Sequence, residues 1–268
     1  MSDVVLEVRD VVREFGGRRR LFRAPRPVIR AVDGVSLEVV RGRTLGIVGE
    51  SGSGKSTLAR MMVGLLTATA GEIELDGRSV AQLLSEDRRA LYRRVQMVFQ
   101  DPFGSLNPRK TVREILEAPL KALHGMGPAA RRDRVKQLMG LVRLRAEFVD
   151  RYPHEFSGGQ CQRIGIARAL AAEPELIVLD EPVSALDVSV QAQILALLAD
   201  LQARLNLTYV FISHDLAVVE TISSEVAVMH LGKIVERGPR SEIFANPKDD
   251  YTRLLLSSIP GLSVPQPV

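Results

Sequence analysis

The chain has 268 residues, of which 46% are hydrophobic and 25% charged, which is ordinary for a globular domain and excludes disorder, collagen and coiled coil. The only cysteine, Cys161, excludes an internal disulfide framework and any multi-cysteine metal or iron–sulfur site. A net charge of +4 permits contact with nucleic acid or anionic lipid without requiring it. The acidic first ten residues do not resemble a secretory signal, and no apolar run is long enough to predict a membrane span.

The elements are predicted in chain order from hydrophobic periodicity and breaker residues. Short β-rich segments predict strands at 4–9, 35–39, 44–48, 72–75, 95–99, 175–180 and 208–213. Helical periodicity is found at 56–66, 158–172 and 189–205. Residues 112–149 are helical in pattern and Arg-rich, with interruptions at Pro119, Gly125, Gly127 and Pro128, which indicates a helical insertion. Apolar strands that alternate with helices predict an α/β fold with a parallel sheet covered on both faces.

A glycine-rich motif lies between the predicted strand 44–48 and the helix that follows it. It matches G-x-x-x-x-G-K-[ST], and its residues are Gly49, Glu50, Ser51, Gly52, Ser53, Gly54, Lys55, Ser56 and Thr57. Glycines let backbone N–H groups surround phosphates, and the helix N-terminus adds positive potential. Lys55 is expected to contact the β- and γ-phosphates of a nucleotide, and the Ser56 hydroxyl to bind Mg²⁺. The alternative is a glycine-rich turn with an exposed lysine.

Two carboxylates lie at the end of the apolar strand 175–180: Asp180 is its last residue, and Glu181 follows it. A parallel strand delivers its C-terminal residues to the crevice where ligands bind. Asp180 can hold Mg²⁺ there through water, and Glu181 is placed to polarise an attacking water as a general base. The alternative is a capped strand end before a turn at Pro182.

Further motifs follow along the chain. Gln100 follows a predicted strand, the sequence Ser-Ala-Leu-Asp ends at Asp187, and His214 lies in FISHD. These three resemble the Q-loop, the D-loop and the switch histidine of ABC ATPases. The signature-like residues begin a helix 23 residues before Asp180 and are Ser157, Gly158, Gly159 and Gln160. The chain therefore resembles an ABC ATPase from about residue 4 to residue 245. This implies a P-loop (RecA-like) core with a mostly parallel sheet, an antiparallel β subdomain and an inserted helical subdomain.

The resemblance also implies roles for these residues. Gln100 touches Mg²⁺ or the attacking water, and the signature loop closes on ATP held by a second ATPase subunit. Asp187 bridges the subunit interface, and His214 hydrogen-bonds the γ-phosphate and orients Glu181. Phe15 stacks under adenine, although Phe22 is a rival and either ring can serve packing. Each motif also has a simpler explanation when taken alone. The Ser157–Gln160 turn fits a helix N-cap, Gln100 a solvated turn, and His214 a surface histidine.

The implied organisation is an ABC ATPase domain over residues 1–245 followed by a short extension at 246–268. The core comprises 1–100 and 172–245, and the helical insertion covers about 101–171. The cofactors are ATP and Mg²⁺.

Four segments narrow the resemblance to import ATPases of the oligopeptide, dipeptide and nickel group. They are residues 31–39, 98–109 and 151–156, and the tail at 247–260. The resemblance implies two membrane permease subunits and a second ATPase subunit as partners, with a periplasmic solute-binding protein acting indirectly. It places the chain peripherally on the cytoplasmic face of the inner membrane, with no nucleic-acid partner. The cargo stays open among peptide, nickel, glutathione and glycan.

Three departures from that group are visible. Cys161 replaces a basic residue beside the signature; either the thiol makes turnover redox-sensitive or the substitution is simply tolerated. Phe156 replaces a leucine, which should be neutral for packing. The tail lacks a cysteine cluster. A basic stretch lies between Phe15 and the core strands and fits a solvated loop or a contact with anionic headgroups. Its members are Arg18, Arg19, Arg20, Arg23, Arg26 and Arg30.

The alternatives come from other classes. A soluble ABC ATPase acting on DNA is disfavoured because Lys55 and Asp180 are only 125 residues apart, without a heptad run between them. Ribosome-type relatives carry two ATPase units in one chain, and this chain has one. A non-hydrolysing regulatory subunit commonly lacks the base or the switch histidine, whereas Glu181 and His214 are both present. A small P-loop kinase leaves the signature residues unexplained.

Overall fold

The computed structural model describes residues 3–16 and 27–257. These residues form two compact units, the first extending to Glu86 and resuming at Val210, the second spanning Asp87–Tyr209. Phe22, the arginines from Arg18 to Arg26 and the tail from residue 258 onward lie outside the described residues.

The elements are numbered along the chain. The strands are β1 (Val4–Phe15), β2 (Ile29–Val40), β3 (Thr44–Val48), β4 (Ala70–Leu75), β5 (Arg78–Ser79), β6 (Val95–Val98), β7 (Leu176–Asp180), β8 (Thr208–Ser213), β9 (Glu225–His230) and β10 (Lys233–Pro239). The helices are α1 (Lys55–Met62), α2 (Val80–Glu86), α3 (Arg88–Arg94), α4 (Val112–His124), α5 (Pro128–Leu141), α6 (Gly158–Leu170), α7 (Val188–Leu205), α8 (Leu216–Ile222), α9 (Arg240–Ala245) and α10 (Asp250–Ser257). Short 3₁₀ segments lie at Ala146–Asp150 and Pro153–Glu155.

An antiparallel sheet of the first unit has the order β2-β1-β4-β5. The long strand β1 contains a bulge at Asp10, where φ is 44° and the pairing with β2 shifts between Val8 and Val11. The extra residue returns Val11 to the buried face that Val8 occupies, which a regular strand would not do. This bulge explains why regular alternation predicts only residues 4–9 of the strand.

A second sheet in the first unit has the order β10-β9-β3-β8. β3 and β9 are parallel, and β9 and β10 form an antiparallel hairpin. All five residues of β3 are buried, as a strand with both faces covered requires. The C-terminal end of β3 leads directly into the predicted phosphate loop.

The second unit contains the parallel pair β6 and β7, which is in register from Val95–Leu176 to Val98–Leu179. Every residue of β7 is buried, which agrees with the apolar run in the sequence. Parallel pairs in both units and the separate antiparallel sheet agree with the predicted α/β class.

The helical segment of the second unit corrects one prediction. Pro119 does not interrupt a helix but lies inside α4, whereas Gly125 caps that helix in the left-handed conformation and Pro128 begins α5. A capping box between Thr111 and Glu114 starts α4, and its apolar face is buried. Packing of that face therefore outweighs the backbone hydrogen bond that a proline removes.

None of the helices within the described ranges combines the length and the hydropathy that crossing a membrane requires.

Candidate functional site

The predicted site residues divide between the two units. The first unit holds the glycine-rich loop 49–57, Phe15 and His214, and the second holds Gln100, the signature residues 157–160, Asp180, Glu181 and Asp187.

The glycine-rich loop depends on two glycines because the backbone approaches its neighbours closely. A Cβ at Gly49 would lie 2.0 Å from the carbonyl oxygen of Met229, and one at Gly54 would lie 2.1 Å from that of Ala31. Both φ angles are positive, at 153° and 106°. Only glycine fits these positions, so the loop is held against β2 and β9 in one shape.

Lys55 points back into the loop and is 4% exposed. Its Nζ donates to the carbonyl oxygens of Gly49 and Glu50, both at 2.7 Å, and to Ser53 Oγ at 3.3 Å. The ammonium group therefore lies at the centre of the loop, where phosphate oxygens can replace the carbonyls as its partners. This arrangement excludes the alternative of a turn with an exposed lysine.

Helix α1 begins at this loop with Gly54 as its N-cap residue, which has no side chain to satisfy the first-turn N–H groups. Ser56 and Thr57 lie in that first turn and are half-buried. First-turn N–H groups have no intrahelical acceptor, and the helix dipole places positive potential beside them. The loop and the helix together form an anion site suited to nucleotide phosphates.

Tyr251 is a neighbour of the loop that the sequence analysis did not identify. Tyr251 Oη accepts a hydrogen bond from the backbone N–H of Glu50 at 3.0 Å. Tyr251 lies on α10, 201 residues away in sequence, so no local pattern signals the contact. The only trace in the sequence is the resemblance of the tail at 247–260 to one import group.

Phe15 ends β1 and is 41% exposed. The guanidinium carbon of Arg13 lies 4.8 Å from the ring centroid, in cation–π contact. A ring that is accessible and flanked by an arginine suits stacking on a nucleobase.

Gln100 and Glu181 meet in the second unit. Gln100 Nε2 donates to Glu181 Oε2 at 2.9 Å, and Glu181 is 8% exposed. Glu181 adopts a positive φ of 47°, an uncommon conformation for a non-glycine residue. The neighbouring Asp180 at the end of β7 is 3% exposed. The structure therefore brings Gln100 and Glu181 into direct contact, which the motifs alone did not predict.

The signature residues begin α6. Ser157 is its N-cap residue, and a reciprocal capping box links the side chains of Ser157 and Gln160 to each other's backbone N–H groups. The N–H groups of Gly158 and Gly159 lie in the same first turn, where an α-helix provides no internal acceptor. A helix N-cap and an anion site are therefore compatible descriptions of this turn.

The two signature glycines pack against the D-loop segment. A Cβ at Gly159 would lie 2.5 Å from Val190 Cγ1, and one at Gly158 would lie 3.3 Å from Leu186 Cδ2. Asp187 is the exposed N-cap residue of α7, but its side chain makes no capping hydrogen bond. The carboxylate is thus not committed to the helix that it precedes.

His214 follows β8 and is exposed. The next residue, Asp215, caps α8 by accepting from the N–H groups of Ala217 and Val218 at 2.9 and 3.4 Å. This cap fixes the turn that presents the histidine.

Cys161 does not have the environment of a redox-sensitive thiol. Its side chain is fully buried, and Sγ donates to the carbonyl oxygen of Pro153 at 3.3 Å. Burial raises the pKa of the thiol to about 11. The structure therefore favours a tolerated substitution. Phe156 is buried as well and contacts Phe148 edge-on at 6.1 Å, in agreement with a packing role.

Comparison with known proteins finds relatives that belong to one family. Residues 32–184 match the family described as ABC transporter. The oligopeptide transport ATP-binding protein AppF of Bacillus subtilis is 51% identical over 260 residues, which are 97% of this chain and 79% of that protein. The dipeptide transport ATP-binding protein DppF of Haemophilus influenzae is 52% identical over 246 residues, with 92% and 75% covered.

Solved structures agree in fold. A dimeric post-hydrolysis ATP-binding cassette bound to ADP and phosphate superposes with a TM-score of 0.77 at 28% identity, covering 88% of this chain and 98% of that one. CbiO1 of Clostridium perfringens, part of the ABC transporter complex cbiONQ, gives a TM-score of 0.75 at 26% identity, with 91% and 92% covered. The family resemblance predicted from the motifs is confirmed, and the chain belongs to the ABC transporter family as one of its nucleotide-binding ATPases.

Proposed function

We propose that this protein is the ATP-binding and ATP-hydrolysing subunit of an ABC importer that powers uptake of peptides or related small solutes. The observation that carries the proposal is the contact between Gln100 and Glu181, which joins the general base to the group that orients it. Relatives with about half their residues identical are oligopeptide and dipeptide transport ATP-binding proteins, which supports the cargo class.

Glu181 is the proposed catalytic base. Its carboxylate accepts a hydrogen bond from the Gln100 amide at 2.9 Å. This hydrogen bond orients the carboxylate that is to accept a proton from water. In-line attack of that water on the γ-phosphate needs the phosphate to be held by Lys55 and the loop N–H groups. His214 is proposed to contact the γ-phosphate and to orient the base.

We propose that Gln100, Asp180 and Ser56 hold a Mg²⁺ ion, because their side chains carry the oxygen ligands that this ion prefers. Because Gln100 uses its amide nitrogen on Glu181, its amide oxygen remains for a cation. Asp180 supplies a buried carboxylate and Ser56 a hydroxyl at the start of α1. When bound, the ion would neutralise charge on the β- and γ-phosphates.

The adenine is proposed to stack on Phe15, and the phosphates to lie in the loop 49–57. The Ser157–Gln160 turn is proposed to close on ATP held by a second ATPase subunit, with Asp187 at the interface between subunits. A dimeric relative of the same fold supports this assembly. The γ-phosphate would then be the contact that distinguishes the closed dimer from the open one.

The proposed partners are two membrane permeases, with a periplasmic solute-binding protein acting through them. The chain would lie peripherally on the cytoplasmic face of the inner membrane. The proposed organisation is an ATPase domain over residues 1–245, with a helical insertion at about 101–171 and a C-terminal extension.

Two substitutions in the transporter reconstituted with its permeases test this function. Lys55→Ala should abolish ATP turnover and uptake of labelled peptide, because the phosphates lose their counter-charge. Lys136→Ala, which removes an exposed lysine from α5, is the matched control and should retain both. Turnover by Lys55→Ala equal to that of the control would refute the proposed role of the loop.

Glu181→Gln should bind ATP, fail to hydrolyse it and accumulate as a closed ATPase dimer detectable by light scattering. If the reconstituted variant shows neither a closed dimer nor slowed hydrolysis, the two-subunit mechanism is wrong.

A further inference from the structure

The C-terminal extension is fastened to the first unit by a charged hydrogen-bond network. Glu236 on β10 accepts from the backbone N–H groups of Lys248 and Asp249 at 2.8 and 3.0 Å. Asp249 Oδ1 in turn accepts from the N–H of Tyr251 at 2.9 Å. Burial alone would raise the pKa of Glu236, but these N–H groups and the nearby charge of Lys248 outweigh it and lower the pKa. The start of α10 is therefore held by an ionised carboxylate at neutral pH.

This anchoring fixes the position of the Tyr251 ring. The ring lies against His230 at the end of β9, with centroids 3.8 Å apart and planes inclined by 36°. Thr252 and Leu256 on the same helix are fully buried. The hydroxyl group consequently reaches the phosphate loop from a rigid base rather than from a loose tail.

The contact holds one peptide group of the loop from both sides. In the peptide group between Gly49 and Glu50, Tyr251 Oη accepts from the N–H of Glu50 at 3.0 Å, while Lys55 Nζ donates to the C=O of Gly49 at 2.7 Å. Burial raises the pKa of Tyr251, which keeps the phenol neutral as an acceptor. If Lys55 turns to phosphate when nucleotide binds, the tyrosine contact on Glu50 is retained.

We propose that Tyr251 is a positioning residue for nucleotide binding, through which the C-terminal extension holds the phosphate loop in its phosphate-accepting shape. This inference rests on the proposed function of the loop as the ATP site. A binding loop that is held in shape before the ligand arrives loses less conformational freedom on binding. The helix α10 therefore contributes to ATP affinity without touching ATP.

The test uses the full-length chain and the variant Tyr251→Phe, which keeps the ring against His230 and removes only the hydroxyl. Titration with ATP and Mg²⁺ in a calorimeter should give a Kd raised between about twofold and tenfold, the range expected for one hydrogen bond. Tyr92→Phe, the same change on α3 of the second unit, should leave the Kd unchanged.

A second measurement separates a positioning role from a merely structural one. In Tyr251→Phe, hydrogen exchange at the Glu50 amide, followed in a peptide covering the loop 49–57, should speed up by a similar factor. The midpoint of thermal unfolding should equal that of Tyr92→Phe. Unchanged exchange at Glu50, or an unchanged Kd, would overturn the inference.

The design also distinguishes the two proposals. If the native chain and Lys55→Ala bind ATP equally, the proposed function of the loop fails. If Lys55→Ala loses binding while Tyr251→Phe matches the native chain, only the role of Tyr251 is refuted.

Discussion

Gly54→Ala is the sharpest single test of the phosphate loop, because the structure states what the added methyl group would meet. The new Cβ would lie 2.1 Å from the carbonyl oxygen of Ala31 and 2.8 Å from Met229 Cε. The methionine can swing away, but the carbonyl belongs to the backbone of β2. Since Cβ contacts below 3.0 Å are essentially never seen, loop or strand must move by about 0.9 Å.

The displacement has two consequences of different size. Holding alanine at a φ of 106° costs about 1 to 3 kcal/mol of stability. Misaligning two N–H groups that would donate to phosphate costs about 1.5 kcal/mol each, which weakens ATP binding about 100-fold. Binding should therefore suffer more than folding.

The assay is an ATP titration in the presence of Mg²⁺, combined with urea unfolding of the same preparation. Gly77→Ala is the matched control, because Gly77 also has a positive φ, at 69°, but a Cβ there would have nothing within 4 Å. The control should lose about 1 kcal/mol of stability and keep its ATP affinity. ATP binding by Gly54→Ala within about threefold of the native chain would refute the steric argument.

The remaining predictions concern the second unit. Gln100→Ala should keep ATP binding but slow hydrolysis about 10- to 100-fold, because Glu181 loses the amide that orients it. Gln96→Ala on β6 is the control, and equal turnover by the two variants would contradict the assignment. Cys161 should not react with a thiol reagent such as DTNB in the native state, since the side chain is buried and a pKa of about 11 leaves about one thiolate in a thousand at pH 8. Labelling of the folded protein at the rate of a free thiol would show that the Cys161 side chain is accessible and would refute this prediction.

The parts of the fold that sequence predicted are those with a strong local signal. The buried strands β3, β7 and β8 and the loop between β3 and α1 follow from uninterrupted apolar runs and fixed glycine spacing. Residues 225–239 were not assigned, although they form a hairpin. Its turn uses Leu231 and Gly232, both at positive φ, and leucine carries no turn signal.

Other features depend on packing that a local pattern does not contain. Pro119 lies inside α4 because the buried face of that helix compensates for one missing N–H. The site residues of each unit follow from motifs, whereas Tyr251 reaches Glu50 only because the tail is anchored on β10. Sequence reasoning therefore identified the chemistry of the site better than its mechanical support.

The close fit of Gly159 against Val190 has a consequence for mutagenesis. A Cβ at position 159 would overlap Val190 Cγ1, so Gly159→Ala requires the Val190 side chain or the start of α7 to move and would disturb the turn and the helix together. Ser157→Ala removes the hydroxyl that caps α6 but adds no atom against α7, so it is the more selective probe of the turn. Because Gly158 and Gly159 lie directly against Leu186 and Val190, a bulky substitution in either segment is expected to alter the packing of the other.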